Sequence, residues 1–251
     1  MVSAGVTGFL IEDLAENRAI PGLELGLWYI HIGLAVLVSW SLAKTHLSDP
    51  GTLVRGLRAP SGFKNSVTCK VCLSWKPPRA HHSKLLNRCI FRMDHVCRWA
   101  GNVIGYSNQK FFILLLAYSC IASVFNSLVC LLCICRVHAF NLLHGLFPAV
   151  YFLANVIAFW ILRIYLSEQI DFLDSNITLI ETFRNCEGRS DDVFKQVFGL
   201  NPFLWLIPVY SSLPPDYTEQ VFPASRLSDM DARELDIVLT DSSIDLGLKV
   251  D

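Results

Sequence analysis

Three long stretches of the chain, 25–43, 111–135 and 137–162, contain no Asp, Glu, Lys or Arg. A helix needs about 20 apolar residues to cross roughly 30 Å of hydrocarbon. Each stretch is therefore predicted to be a membrane-spanning helix. Arg136, with Asn141 and His144 close behind, separates the last two, so a short turn around 136–145 and a helical hairpin are expected. The intervening pattern is different. Residues 44–110 form a polar loop opened by the turn sequence Ser48-Asp49-Pro50-Gly51. Residues 167–210 mix polar and apolar positions and end in an aromatic, amphipathic run in which Trp205 suits a membrane interface. The expected class is a multi-pass α-helical membrane protein with a small cytosolic domain between spans.

The two ends read differently. Residues 1–24 form a short leader whose uncharged part, 1–11, is half a span long and lacks a basic flank. It reads as the remnant of a further span or as an interfacial segment. Residues 211–251 read as a flexible acidic tail, with nine acids against three bases from Asp216 onward.

Composition sharpens the picture. Of 251 residues, 53% are hydrophobic and 17% charged, which excludes an ordinary soluble domain. The net charge of −1 is uninformative, but between Lys44 and Lys110 twelve Lys or Arg face only two acids, Asp49 and Asp94. Basic loops stay on the cytoplasmic side. Loop 44–110 and everything after Arg163 are thus expected in the cytosol, with the 136–145 turn lumenal or extracellular. In that topology the sequon Asn176-Ile177-Thr178 would stay unglycosylated.

Nine cysteines are present. Cys69, Cys72, Cys89 and Cys97 lie in the loop, where cytosolic thiols stay reduced, so metal binding or catalysis is the expected use. Cys120, Cys130, Cys133 and Cys135 lie in an apolar helix and read as small buried hydrophobes. Cys186 is assigned nothing. Cys69 and Cys72 form a two-residue knuckle, and a more distant His and Cys can close a tetrahedron around zinc. The candidate set is Cys69, Cys72, His82 and Cys89, with His81 competing for the histidine position. A loop with so little apolar content gains folding free energy, on the order of 10 kcal/mol, from such a site.

Cys97 is left over. His95 lies two positions upstream and can take or share its proton; Asp94 can orient the imidazole. Arg88, Arg92 and Arg98 add positive field. About fourteen residues separate Cys97 from the next apolar run. A thiol nucleophile there suits a thioester whose acyl tail lies in the bilayer.

These motifs, in this order, resemble the DHHC family of protein S-acyltransferases. The matching residues are Cys69-Lys70-Val71-Cys72, Lys76-Pro77-Pro78-Arg79, His81-His82, Cys89, Arg92-Met93-Asp94-His95-Val96-Cys97, Trp99, Gly101-Asn102, Ile104-Gly105 and Asn108 through Phe111-Phe112. Asp49-Pro50-Gly51, the segment Asn176 to Glu181, and Val197-Phe198-Gly199 with Trp205 match further family motifs. The resemblance implies a zinc site at Cys69, Cys72, His82 and Cys89, which selects His82 over His81. It also implies that a second family zinc site is lost at Ser83, Leu86, Val96 and Val103, where an apolar cluster is expected to replace the metal. One zinc is thus expected.

The same resemblance implies that Cys97 carries an acyl group taken from a long-chain acyl-CoA, with His95 as base and Asp94 orienting it. The group would pass to cysteines of membrane-associated client proteins, at an endomembrane such as ER or Golgi. The acyl tail is expected in a cavity between the spans and the CoA phosphates against basic residues of the loop. Thr178 is expected near Asp94. The other partner is the lipid bilayer, and no nucleic-acid partner is expected. Departures from the family pattern are Arg98 for Pro, Leu179 for Thr and Val193 for Asn. The alternative is that the loop without the second zinc does not hold His95 against Cys97, which makes the chain a non-catalytic membrane adaptor that binds acyl-CoA or clients. A zinc-dependent channel or ubiquitin-ligase-like module lacks the paired-site spacing it would need.

Overall fold

The computed structural model describes residues 23–56, 58–59, 67–136, 142–184 and 193–210. The leader 1–22, Cys186 and the acidic tail lie outside the described residues. Three long helices carry the apolar stretches: α1 (Leu23–Leu47), α2 (Gln109–Arg136) and α3 (Leu142–Asp174). Within them Leu25–Leu47, Gln109–Ile134 and Leu146–Asp174 are long and apolar enough to cross a membrane.

The helix ends differ from the edges of the charge-free runs. For α3 the run predicts 137–162, whereas the helix starts at Leu142 and continues through Arg163, Glu168 and Asp171 to Asp174. Residues 137–141 lie outside the described residues. Its 33 residues correspond to about 50 Å, longer than a hydrocarbon core. Hydropathy marks where a helix meets lipid, but a helix stops where its backbone does. Here Asn176 adopts φ +48°, and the Asn176 and Ile177 N–H groups donate back to the Leu173 and Phe172 carbonyls.

The chain divides into two compact units, Met1–Ala43 with Phe112–Asp171, and Lys44–Phe111 with Phe172–Asp251. In the first unit Val129, Cys130 and Cys133 of α2 form a buried cluster with Leu27, Trp28, Phe125, Tyr151 and Phe152 against it. The two cysteines there are packing atoms. Two buried asparagines inside this apolar unit are satisfied locally, as a lipid environment demands. Asn126 Nδ2 donates to Asn155 Oδ1 (3.3 Å), and Asn155 Nδ2 donates to the Tyr151 carbonyl (2.8 Å). Large aliphatic side chains such as Ile30, Val36, Leu128 and Ile157 point outward, as lipid contact requires.

The second unit is built from three antiparallel hairpins of minimal length. They pair β1 (Thr68–Cys69) with β2 (Ser74–Trp75), β3 (His81–Ser83) with β4 (Arg88–Ile90), and β5 (His95–Cys97) with β6 (Asn102–Ile104). Short helices follow: α4 (Leu179–Thr182), α5 (Val193–Phe198) and a 3-10 turn at Pro202–Leu204. Strands of two or three residues bury little, and the core is correspondingly small, centred on Leu53, Trp75, Cys89, Phe91 and Tyr106. Side-chain ties compensate. Asp49 accepts hydrogen bonds from the Gly51 and Thr52 N–H groups and from the Thr52 hydroxyl, closing the Asp-Pro-Gly turn. Asn102 Nδ2 donates to the carbonyls of Thr45, His46 and Ser48, holding β6 to the last turn of α1. The buried Lys110 ammonium donates to the Leu204 and Val209 carbonyls and so anchors the C-terminal aromatic segment.

Gly105 stands where three segments meet. A Cβ there would lie 2.5 Å from the Pro50 carbonyl oxygen and 2.8 Å from Ile90 Cγ2. Backbone cannot yield as a flexible side chain can, so Gly105→Ala is expected to destabilise this unit by roughly 1–3 kcal/mol. Thermal unfolding of the detergent-solubilised protein measures it; an unchanged midpoint would contradict this packing.

Candidate functional site

Two clusters of reactive side chains form within the hairpin unit. The first joins β1–β2 to β3–β4. The turn after β1 presents Cys69 and Cys72 together, closed by the Cys72 N–H donating to Cys69 Sγ (3.5 Å) and by Leu73 in the left-handed region (φ +54°). Across the next hairpin His82 and Cys89 are direct partners. The four ligand atoms of Cys69, Cys72, His82 and Cys89 all lie within 4.8 Å of one another. His82 Nδ1 is 3.6, 3.3 and 4.0 Å from the sulfurs of Cys69, Cys72 and Cys89. A tetrahedral zinc with bonds of about 2.3 Å to sulfur and about 2.0 Å to nitrogen separates such ligands by about 3.6 Å. The donor set and its spacing therefore fit zinc. Strand alternation places His81 on the other face. There burial and the nearby Arg184 and Lys76 charges pull its imidazole down to about 4.

The four positions at which the resemblance implies a lost second site do not behave alike. Val103 is fully buried with Ile90 and Met93, and Ile180 packs on that cluster. Ser83 is buried and its hydroxyl accepts the Leu86 N–H (3.4 Å). Leu86 and Val96 remain 37% and 45% exposed. The expected apolar cluster thus forms at Val103 alone. Val96, opposite Val103 in the β5–β6 hairpin, lies at the outer rim of that face.

The second cluster is the β5–β6 hairpin. Asp94, buried to 1%, anchors it through its own N–H, which donates to the Ile104 carbonyl (2.8 Å). Its carboxylate accepts two bonds: His95 Nδ1 at Oδ2 (2.8 Å) and the Leu179 N–H at Oδ1 (2.7 Å). With Nδ1 on Asp94, the imidazole and the Cys97 thiol influence each other's ionisation, His95 being raised and Cys97 lowered in part through the other. Cys97 is buried, and its sulfur also accepts the Ala100 N–H (3.4 Å).

The electrostatics follow from these contacts. Burial opposes the imidazolium of His95, but the hydrogen bonds to Asp94 and Cys97 outweigh it and raise the group to about 9. Burial likewise opposes the Cys97 thiolate. The His95 hydrogen bond, the Ala100 N–H and the imidazolium charge override that, and the thiol is held below its ordinary value. Cys97, His95 and Asp94 are thus brought together in the order the sequence spacing suggested, as an imidazolium beside an acidified thiol.

Helix α4 positions this cluster from afar. Thr178 is its N-cap and forms a capping box with Glu181. The N–H that reaches Asp94 belongs to Leu179, so a backbone group makes this contact and the Leu side chain does not disturb it. Glu181 in turn takes a two-pronged ion pair from Arg79 (2.7 and 2.8 Å), and the same guanidinium donates to the Asn176 side chain and carbonyl. Sequence reasoning singled out Arg79 and Glu181 as motif residues but gave no sign that they meet. Their 102-residue separation hides the pair, and only opposite charge in two motifs hinted at it.

Comparison with known proteins places this geometry. Residues 62–186 match the family model for DHHC palmitoyltransferase. The chain is 28% identical over 226 residues to "Probable protein S-acyltransferase 12" of Arabidopsis thaliana, covering 78% of this chain and 77% of that protein. It is 32% identical over 224 residues to "Probable protein S-acyltransferase 15" of the same plant, covering 77% and 86%. With "Palmitoyltransferase ZDHHC15" of Xenopus laevis it shares 34% identity over 171 residues, 60% of this chain and 48% of that one. The family-model match, with 32% identity across 86% of a relative's length, shows that this chain belongs to the DHHC palmitoyltransferase family.

Proposed function

We propose that this chain is a protein S-acyltransferase that works through a Cys97 acyl-enzyme. The observation that carries the reading is the Asp94–His95–Cys97 arrangement, in which one carboxylate orients an imidazole against a buried, acidified thiol. The Cys97 thiolate attacks the carbonyl carbon of a long-chain acyl-CoA. The carbon–sulfur bond to CoA breaks, and His95 gives its proton to the departing CoA thiolate. Neutral His95 then takes a proton from a client cysteine, whose thiolate attacks the acyl-enzyme. Cys97 leaves as the thiolate beside a restored imidazolium, and the client carries the acyl group.

Membrane-associated proteins with cytosolic cysteines are the clients this chemistry suits, with palmitoyl as the expected acyl group. Each methylene kept from water contributes about 0.8 kcal/mol, so a long chain supplies much of the substrate's binding. Lys76 and Arg184, which crowd His81, offer positive field for the CoA phosphates. The basic loop supports a cytosol-facing site, on an endomembrane such as ER or Golgi. Zinc at Cys69, Cys72, His82 and Cys89 would hold the hairpins together structurally. The Leu179 N–H and the Ile104 carbonyl hold Asp94 and need no second metal.

Purified protein incubated with labelled palmitoyl-CoA is expected to acquire hydroxylamine-sensitive label that Cys97→Ser abolishes and His95→Ala lowers at least a hundredfold. Absence of label under conditions that label a control transferase would leave the adaptor reading. The labelling rate should fall as pH rises through about 9. There His95 loses the proton it must give to CoA. A rate still climbing above that pH would remove His95 as the acid. Metal analysis should find one zinc per chain, and Cys72→Ser or strong chelation should lower both zinc content and the thermal midpoint. Two zincs per chain would contradict the assignment.

A further inference from the structure

Three successive residues pin the tip of the β5–β6 hairpin to the Leu47 end of α1. The Ala100 carbonyl accepts a hydrogen bond from His46 Nδ1 (2.8 Å). Gly101, at φ +65°, packs so closely that a Cβ there would lie 3.0 Å from the same imidazole nitrogen. Asn102 Nδ2 donates to the carbonyls of Thr45, His46 and Ser48. These contacts fall where a helix long and apolar enough to cross a membrane, Leu25–Leu47, comes to its end. Lys44 stands over the rings of Phe111, in the first turn of α2, and of Tyr210 (6.0 and 5.2 Å), so the neighbouring ends of α1 and α2 lie side by side.

The residues between the thiol and this anchor face outward. Trp99 is 94% exposed, Arg98 is exposed, and Leu47 is 79% exposed. Neither the Trp99 ring nor the Arg98 guanidinium has a partner among the described residues. Consecutive Cα atoms are about 3.8 Å apart, so Trp99 and Arg98 lie one and two steps from the end of the span. An indole prefers the boundary between hydrocarbon and water, where its ring stays dry and its N–H wet. A guanidinium seeks an anion, and the loop offers it none. Asp49 and Asp94 are the acids between Lys44 and Lys110. Asp49 is taken by Gly51 and Thr52, and Asp94 by His95 and Leu179. At the end of a membrane span the anion at hand is the lipid phosphate, which a guanidinium meets with paired N–H groups.

We propose that Arg98 and Trp99 form a lipid-docking tip, with Trp99 seated among the headgroups and Arg98 paired with their phosphates. Cys97 Sγ accepts the Ala100 N–H of the same turn, so the tip also sets the depth of the thiol at the membrane surface. That consequence rests on the reading of Cys97 as the nucleophile; the docking itself does not.

The test needs no acyl-CoA. The protein is reconstituted in phosphatidylcholine–phosphatidylserine vesicles whose acyl chains carry bromine either near the headgroup or near the methyl end. The Trp99 signal is the fluorescence difference between the parent and Trp99→Phe, or Trp99→Tyr where the first variant lowers the thermal midpoint. Shallow bromines should quench that signal about twofold more than deep ones. Arg98→Lys should keep the quenching, and Arg98→Glu, repelled by anionic headgroups, should lower it about twofold at an unchanged thermal midpoint. A Trp99 signal that shallow bromines leave untouched would overturn the proposal, as would parent-like quenching in Arg98→Glu. Quenching abolished by free CoA would overturn it too, assigning the tip to the phosphates of a soluble substrate. A parent protein with shallow quenching that takes no label from palmitoyl-CoA loses the transferase reading and keeps this one.

Discussion

A single buried carboxylate ties the reactive hairpin to the rest of its unit. Asp94 accepts the N–H that opens α4 and the Nδ1 of His95 at once. The first bond fixes where the carboxylate sits; the second fixes how the imidazole is turned. Both bonds are charge-assisted and shielded from water, so they hold position better than the same contacts would at a surface. The acidified thiol draws on the His95 imidazolium as well as on the Ala100 N–H, and the imidazolium in turn draws on Asp94.

That carboxylate would be unsupported in a domain held by hydrophobic burial alone. Strands of two and three residues bury too little apolar surface to define a stable core. The unit relies on specific ties in its place: a Cys69, Cys72, His82 and Cys89 cluster spaced to hold a metal, the Asn102 amide on three carbonyls, the Lys110 ammonium on two, and the Arg79–Glu181 pair. Ser83, Leu86, Val96 and Val103, where the resemblance implies a second metal site was lost, are accommodated in different ways. Val103 joins the core and Ser83 satisfies a neighbouring N–H, while Leu86 and Val96 need only fit at the surface. What must persist is the support of Asp94, and that comes from the backbone of α4.

Buried charge is concentrated around the same point. Asp94, Glu181 and Arg79 are all enclosed or nearly so, and each is matched, Asp94 by His95 and the Leu179 N–H, Glu181 by Arg79. Opposite charges in a low dielectric interact strongly, and each is costly without its counterpart.

The sequence by itself determined the parts that depend on local pattern. Charge-free runs announced three helices, because lipid tolerates no ionised side chain. The spacing of Cys69, Cys72, His82 and Cys89 announced a tetrahedral site, because knuckle geometry is local. Asp94, His95 and Cys97 were legible because they are neighbours in the chain. The tertiary structure decided what spacing cannot encode. Helix ends followed backbone turns, as at Asn176, and not the edges of apolar runs. Spacing alone left His81 and His82 open; the resemblance selected His82, and the structure gathers His82 with the three cysteines. The contact of Leu179 with Asp94, the grip of Arg79 on Glu181 and the enclosure of Arg92 join residues far apart in sequence. A burial or a long-range pair is a fact about where the chain returns, and no window of neighbouring residues contains it.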